Sequence, residues 1–114
     1  IKVSLNGDMV STGSNKVGSF IGDHTKFGIG TLLNTGINIG ISCNIFGGGL
    51  VADKEIPAFS WGSSGNFVPY DFRKAIETAR VVAGRRNYRM SESEERMLEA
   101  VAENKASDKG ILRL

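Results

Sequence analysis

The chain has 114 residues, 12.2 kDa, enough for one domain with an appendage and too short for two independent cores. Fourteen Lys and Arg against 12 Asp and Glu give a net charge of +2, which excludes the strong basic field of a dedicated nucleic-acid binder. No apolar run approaches the roughly 20 residues of a membrane span, and the single cysteine, Cys43, excludes an internal disulfide or a multi-cysteine zinc site, pointing to a reducing cytoplasm.

Eleven of the 15 glycines fall in residues 1–50, which hold only five charged side chains: Lys2, Asp8, Lys16, Asp23 and Lys26. The other 21 charges lie in residues 51–114. Two architectures therefore meet near residue 50. Because the chain begins at Ile1 and not at Met, it is expected to be a fragment of a longer protein.

Every sixth residue from Val3 gives Val3, Met9, Asn15, Ile21, Phe27, Leu33, Ile39 and Ile45, all bulky and apolar except Asn15. Four positions further on stand Gly7, Gly13, Ser19, Thr25, Thr31, Ile37, Cys43 and Gly49, all small except Ile37. A helix repeats at 3.6 and a half-buried strand at 2, so neither accounts for a period of six. The pattern predicts a parallel β-solenoid over residues 1–50, each hexad supplying a short strand and a turn. Bulky residues would point inward, and glycine would ease the corners. Eight hexads make about two and two-thirds coils, few for a solenoid whose ends need covering.

Residues 51–70 lack this period and read as a loop, with Ile56, Phe59, Trp61 and Phe67 able to pack on the solenoid. A helical extension is predicted over 71–114 and is expected to pack back along the solenoid. Phe72, Ile76, Ala79 and Ala83 share one face of the first helix, and Gly84, Arg85 and Arg86 suit its end. Ser91 and Glu94 form a capping box that opens a second helix with Met97, Leu98, Val101 and Ala102 as its apolar stripe. That pattern fades over Ser107–Gly110.

The strings FIGDHTKFGIGTLLNTGINIGISCNIFGGG (Phe20–Gly49) and IPAFSWG (Ile56–Gly62) resemble the C-terminal end of bacterial bifunctional sugar-1-phosphate nucleotidyltransferase/acetyltransferase proteins, over roughly residues 15–105. The hexapeptide part alone is a general acyltransferase signal; the linked GDHTK, NTG and FSWG strings are more specific. The resemblance implies a mainly β fold, a left-handed parallel β-helix followed by a loop and two C-terminal α-helices. It also implies a homotrimer that uses acetyl-CoA as co-substrate to acetylate the amine of glucosamine 1-phosphate. Nucleotidyl transfer, with its Mg2+, would reside in an N-terminal domain whose motifs do not occur in these residues.

Acetyl transfer needs a base for the attacking amine and donors for the thioester oxyanion. In the better-known uridyltransferase branch that base is a histidine, and the matching position here is Val17. Two readings stand. In one, His24, the only histidine, replaces the missing base, with Asp23 or a neighbouring subunit orienting it. In the other, the β-helix is non-catalytic, and it trimerises and regulates an upstream nucleotidyltransferase domain.

Residues 18 apart should stack on adjacent coils, which puts Lys16 below Asn34, Lys26 below Asn44, and His24 between Asn6 and Ser42. Asn34 and Asn44 are candidate substrate ligands, against the plainer use of Asn38 and its kin in amide ladders or tight turns. Lys26 can attract a phosphate, or stand as a solvated cation. Gly28–Gly30 and Gly47–Gly49 lack the strand-to-helix context of a phosphate loop and read as turn glycines. Cys43 reads as a buried inert thiol. Trp61 can stack on a ring or pack the loop. The arginines at 73, 80, 85, 86 and 89 read as solvated helix surface. No metal site, nucleic-acid partner or membrane contact is expected.

Overall fold

The computed structural model describes residues 1–107 and divides into two compact units, 1–69 and the part beginning at Tyr70. The fold is mainly strands with two C-terminal helices.

The first unit opens with a hairpin, β1 (Lys2–Leu5) and β2 (Asp8–Ser11), paired antiparallel from Lys2↔Ser11 to Leu5↔Asp8. Asn6 and Gly7 form its two-residue turn with φ of 51° and 88°, as the right-handed twist of paired strands demands. The hexad expectation fails here: Met9 is exposed, and Val3 is buried as part of a hairpin and not of a coil. Asn-Gly between apolar residues is the strongest short hairpin signal, and here it outranks the period of six.

Seven short strands follow: β3 (Phe20–Ile21), β4 (Lys26–Phe27), β5 (Thr31–Leu33), β6 (Asn38–Ile39), β7 (Asn44–Ile45), β8 (Gly49–Val51) and β9 (Glu55–Ile56). A last hairpin, β10 (Ser60–Ser63) and β11 (Asn66–Pro69), closes the unit. The strands build three parallel ladders, β3–β6–β9, β4–β7–β10 and β5–β8. The first step up each ladder is 18 residues, as in Ile21↔Ile39, Phe27↔Ile45 and Leu33↔Val51. The second is 17, as in Ile39↔Ile56 and Ile45↔Gly62.

The loop expected over 51–70 is therefore mostly ladder. One residue is missing between β8 and β9, so the inward positions run Val51, Ile56, Gly62, and a strict count of six loses them. The core is Ile37, Ile39, Cys43, Ile45, Val51 and Ile56, with Leu33 and Phe67 packed on it. Ile21 (48% exposed) and Phe27 (37%) are not buried as their hexad position predicts. Both sit on strands paired along one edge only, so no neighbouring strand shields their outer side.

Two columns of residues show why the coils stack so closely. His24, Ser42 and Phe59 occupy equivalent turns with φ of 63°, 54° and 54°, and Gly30, Gly36 and Gly48 fall at the same place in their hexads with positive φ. Gly22 and Gly40 form the second column, closed by the Pro57–Ala58 peptide. A Cβ on Gly22 would lie 2.7 Å from the Gly40 carbonyl carbon, and one on Gly40 would lie 2.5 Å from the Ala58 nitrogen. Glycine is required there by space and not by φ.

The second unit holds α1 (Phe72–Gly84) and α2 (Glu92–Ser107). Ala75, Ile76 and Ala79 are buried on α1, close to the predicted stripe. The left-handed residue after α1 is Asn87 (φ 57°), three residues beyond Gly84. The capping box forms in both directions, Glu94 N–H to Ser91 Oγ and Ser91 N–H to Glu94 Oε1, each 3.1 Å. Leu98 is buried, but Met97 is exposed and does not belong to the stripe. The Arg80 guanidinium holds the Glu95 carboxylate with both Nε (2.8 Å) and a terminal nitrogen, tying α1 to α2. Residues 108–114, including the last part of the expected fading helix, lie outside the described residues.

Candidate functional site

Side chains alternate along a strand, so the register of β4, β7 and β10 sorts their residues into two rows. Phe27, Ile45 and Gly62 form the inward row, and Lys26, Asn44 and Trp61 the outward one. Lys26 and Asn44 are half-buried, while Trp61 is 39% exposed. The ring of Phe46, just past β7, meets Trp61 edge to face at a centroid distance of 5.2 Å and 66°.

The turn before β4 is fixed by its neighbour one coil on. Thr25 Oγ1 donates to the Gly40 carbonyl (2.7 Å) and accepts from Cys43 N–H (3.2 Å), and Ser42 N–H donates to the Asp23 carbonyl (2.9 Å). His24 is therefore held on a rigid corner, half-buried, two residues from Lys26. The Lys26 ammonium donates to the His24 carbonyl at 3.0 Å. Partial burial lowers the Lys26 pKa by penalising its charged form, without removing the ammonium's other donors.

Of the four residues singled out from sequence, Lys26 and Asn44 pair on this ladder, and His24 stands in the turn two residues before β4, joined to Lys26 through its backbone carbonyl. Asn34 stands apart. It follows β5 on another ladder, and its Oδ1 accepts from Thr35 N–H at 2.8 Å, the turn role that asparagine often takes. Asn38 donates to the Ser4 carbonyl, so no column of asparagine amides forms among Asn34, Asn38 and Asn44. Asn6 belongs to the hairpin turn and does not stack on His24, as a strict 18-residue count expects. Asp23 makes no hydrogen bond to His24 among the described residues and does not orient it. Cys43 is 1% exposed, its thiol donating to the Pro57 carbonyl, which suits a structural role.

Phe46 is what the sequence left unread, together with the position of Trp61, which the sequence offers only as a ring that stacks or packs. The FSWG string drew attention to the indole, but only the 17-residue step places it beside Asn44. Among the described residues no group of three or more His, Cys, Asp or Glu side chains could hold a metal ion. No helix among them is long and apolar enough to cross a membrane.

With an ammonium, an amide and an indole on one ladder and a histidine in the turn before it, the comparison with known proteins becomes informative. The chain is 37% identical over 51 residues to the bifunctional sugar-1-phosphate nucleotidylyltransferase/acetyltransferase of Sulfurisphaera tokodaii. The likeness is partial. It covers 45% of this chain and spans 13% of that protein's length. The chain matches no protein-family model and no solved structure. The likeness thus points to the sugar nucleotidyltransferase/acetyltransferase family without singling out a domain of it.

Proposed function

We propose that these residues form the acyltransferase-type part of a sugar nucleotidyltransferase, a left-handed parallel β-helix that acetylates the amine of glucosamine 1-phosphate with acetyl-CoA in the synthesis of UDP-N-acetylglucosamine. The observation that carries this reading is the pairing of Lys26 with Asn44 on one ladder beside the turn that holds His24, in a chain partly similar to a protein named for both transferase activities.

In this reading the His24 imidazole takes the proton as the substrate amine attacks the thioester carbonyl. The new C–N bond forms, the C–S bond breaks, and the imidazolium returns its proton to the departing thiolate. Lys26 faces the sugar phosphate and Asn44 a hydroxyl. The active form is a homotrimer in the cytoplasm. Leu32 and Leu50, paired in register on β5 and β8, are 62% and 54% exposed, and a neighbouring subunit would cover them. Any Mg2+-dependent nucleotidyl transfer is assigned to other parts of a longer protein.

A second reading keeps the trimer and drops the chemistry, and Val17 at the usual histidine position favours it. Acetyl transfer from acetyl-CoA to glucosamine 1-phosphate, followed by thiol release, separates the two. Turnover that depends on His24 supports the enzyme. No turnover from a folded trimer supports the non-catalytic module.

A further inference from the structure

We infer that the outward row Lys26–Asn44–Trp61 is the acceptor subsite, in which a phosphorylated hexosamine lies across three strands with its ring on the Trp61 indole and its phosphate at Lys26. The inference rests on the acyltransferase reading and names the residue that recognises the sugar.

The row has a direction. Its end at β10 and β11 is apolar: Trp61 pairs in register with Val68, which is 55% exposed, and the Phe46 ring packs on the indole in a T-shaped contact. Its other end is cationic, with Lys26, and a neutral amide, Asn44, stands between them. Neighbouring strands lie about 4.8 Å apart, so Trp61 and Lys26 are separated by roughly 9–10 Å at their backbones.

A ligand that matches this order has an apolar ring face at one end, hydroxyls in the middle and one anion at the other. A sugar monophosphate has that order. The C–H face of a pyranose carries slight positive charge and meets the negative face of an indole favourably. Asn44 can both donate to and accept from ring hydroxyls. The ammonium of Lys26 uses one donor on the His24 carbonyl and keeps two for a phosphate. That bond also fixes the ammonium beside the turn that carries His24, so phosphate and base are positioned by the same corner.

Charge count argues against a nucleotide in this row. Coenzyme A brings several phosphate charges that call for several cations, and the row supplies one. Its aromatic end would accept an adenine, but nothing in the row would meet the rest.

Trp61 is the only tryptophan in the chain, so its emission reports on the subsite directly. The whole chain is titrated with glucosamine 1-phosphate, inorganic phosphate, glucosamine and acetyl-CoA. The expected result is a saturable change in emission with glucosamine 1-phosphate, with at least tenfold weaker binding of phosphate or glucosamine alone. Lys26→Gln should raise the Kd at least tenfold while leaving the melting temperature close to that of the parent. Trp61→Ala, followed by calorimetry, should do the same, and Trp61→Phe should restore part of the affinity and control for folding.

A response to acetyl-CoA alone, equal responses to sugar phosphate and phosphate, or no saturable response would each overturn the inference. Sugar-phosphate binding without acetyl transfer would uphold the subsite and defeat the proposed reaction. Acetyl transfer with an unchanged KM in Lys26→Gln and Trp61→Ala would do the reverse.

Discussion

Glu55 accepts a hydrogen bond of 2.8 Å from Ser4 Oγ, 51 residues earlier in the chain. The same carboxylate takes the backbone N–H groups of Asn6 and Gly7, at 2.8 and 2.9 Å, so one side chain on β9 holds the whole tip of the first hairpin. Hydrogen bonds to a charged acceptor contribute about 1.5–3 kcal/mol, and the three here share a single anchor. Glu55→Ala should therefore lower stability by about 2–3 kcal/mol and expose residues 1–14 to protease while the ladders remain folded. Chemical denaturation and limited proteolysis check both outcomes.

Gly40 and Gly18 make opposite predictions for the same substitution. Gly40→Ala drives a methyl group to 2.5 Å from the Ala58 backbone and should cost about 1–3 kcal/mol or prevent folding. Gly18→Ala meets nothing within 4 Å and has no left-handed φ, so it should be neutral or slightly stabilising. Melting temperatures of the two variants decide the point.

His24 permits a cleaner separation of chemistry from folding than most catalytic candidates. Its φ of 63° is strained for a residue with a Cβ, and relief of that strain is worth roughly 1 kcal/mol. His24→Gly should thus melt no lower than the parent while kcat for acetyl transfer falls about 10²- to 10⁴-fold. Equal rates would remove the imidazole from the reaction.

Leu32 and Leu50 test the assembly. A glutamate at Leu50 would place a charge in the middle of the face that a neighbouring subunit is proposed to cover. Sedimentation should then show a trimer for the parent and a monomer for Leu50→Glu, with the circular dichroism unchanged. A parent that is monomeric at micromolar concentration would sink the trimer.

The Arg80–Glu95 pair carries a pH dependence of definite sign. The hydrogen bond from Arg80 holds the Glu95 carboxyl below its ordinary pKa of 4.5, and the same bond raises the Arg80 pKa. A carboxyl lowered on folding adds stability above its unfolded pKa and loses it as the pH falls through the folded one. Parent and Glu95→Gln should differ in melting temperature at pH 6 and converge at strongly acidic pH. Both side chains reach solvent, so the difference should be small and should shrink in high salt.

How much of this was legible beforehand depends on where the period of six holds. From Phe20 to Val51 it does, and the inward places of Ile39 and Ile45 and the meeting of Lys26 with Asn44 follow from counting. Before Phe20 a stronger local rule, the Asn6-Gly7 turn, takes over. After Val51 one absent residue breaks the count, so β9 and β10 look like loop. His24 was visible as the sole histidine, but its strained turn was not, because a left-handed φ usually calls for glycine or asparagine. Trp61 was visible as a ring that stacks or packs, but its neighbours were not, since they come from strands 17 and 35 positions earlier.

The shorter second step has a consequence for what the protein can tolerate. Side chains on a strand change faces with each shift of one position, so the gap between Val51 and Glu55 sets which side of β10 faces the core. An inserted residue at that corner would only restore the 18-residue step that already keeps Lys26 in register with Asn44. With one residue removed, a 17-residue step would join Asn44 to Gly62 instead of Trp61, and the indole would turn inward over Cys43, which is 1% exposed and leaves it no room. The corner that looks most like a spacer is thus where the chain should be least forgiving of being shortened.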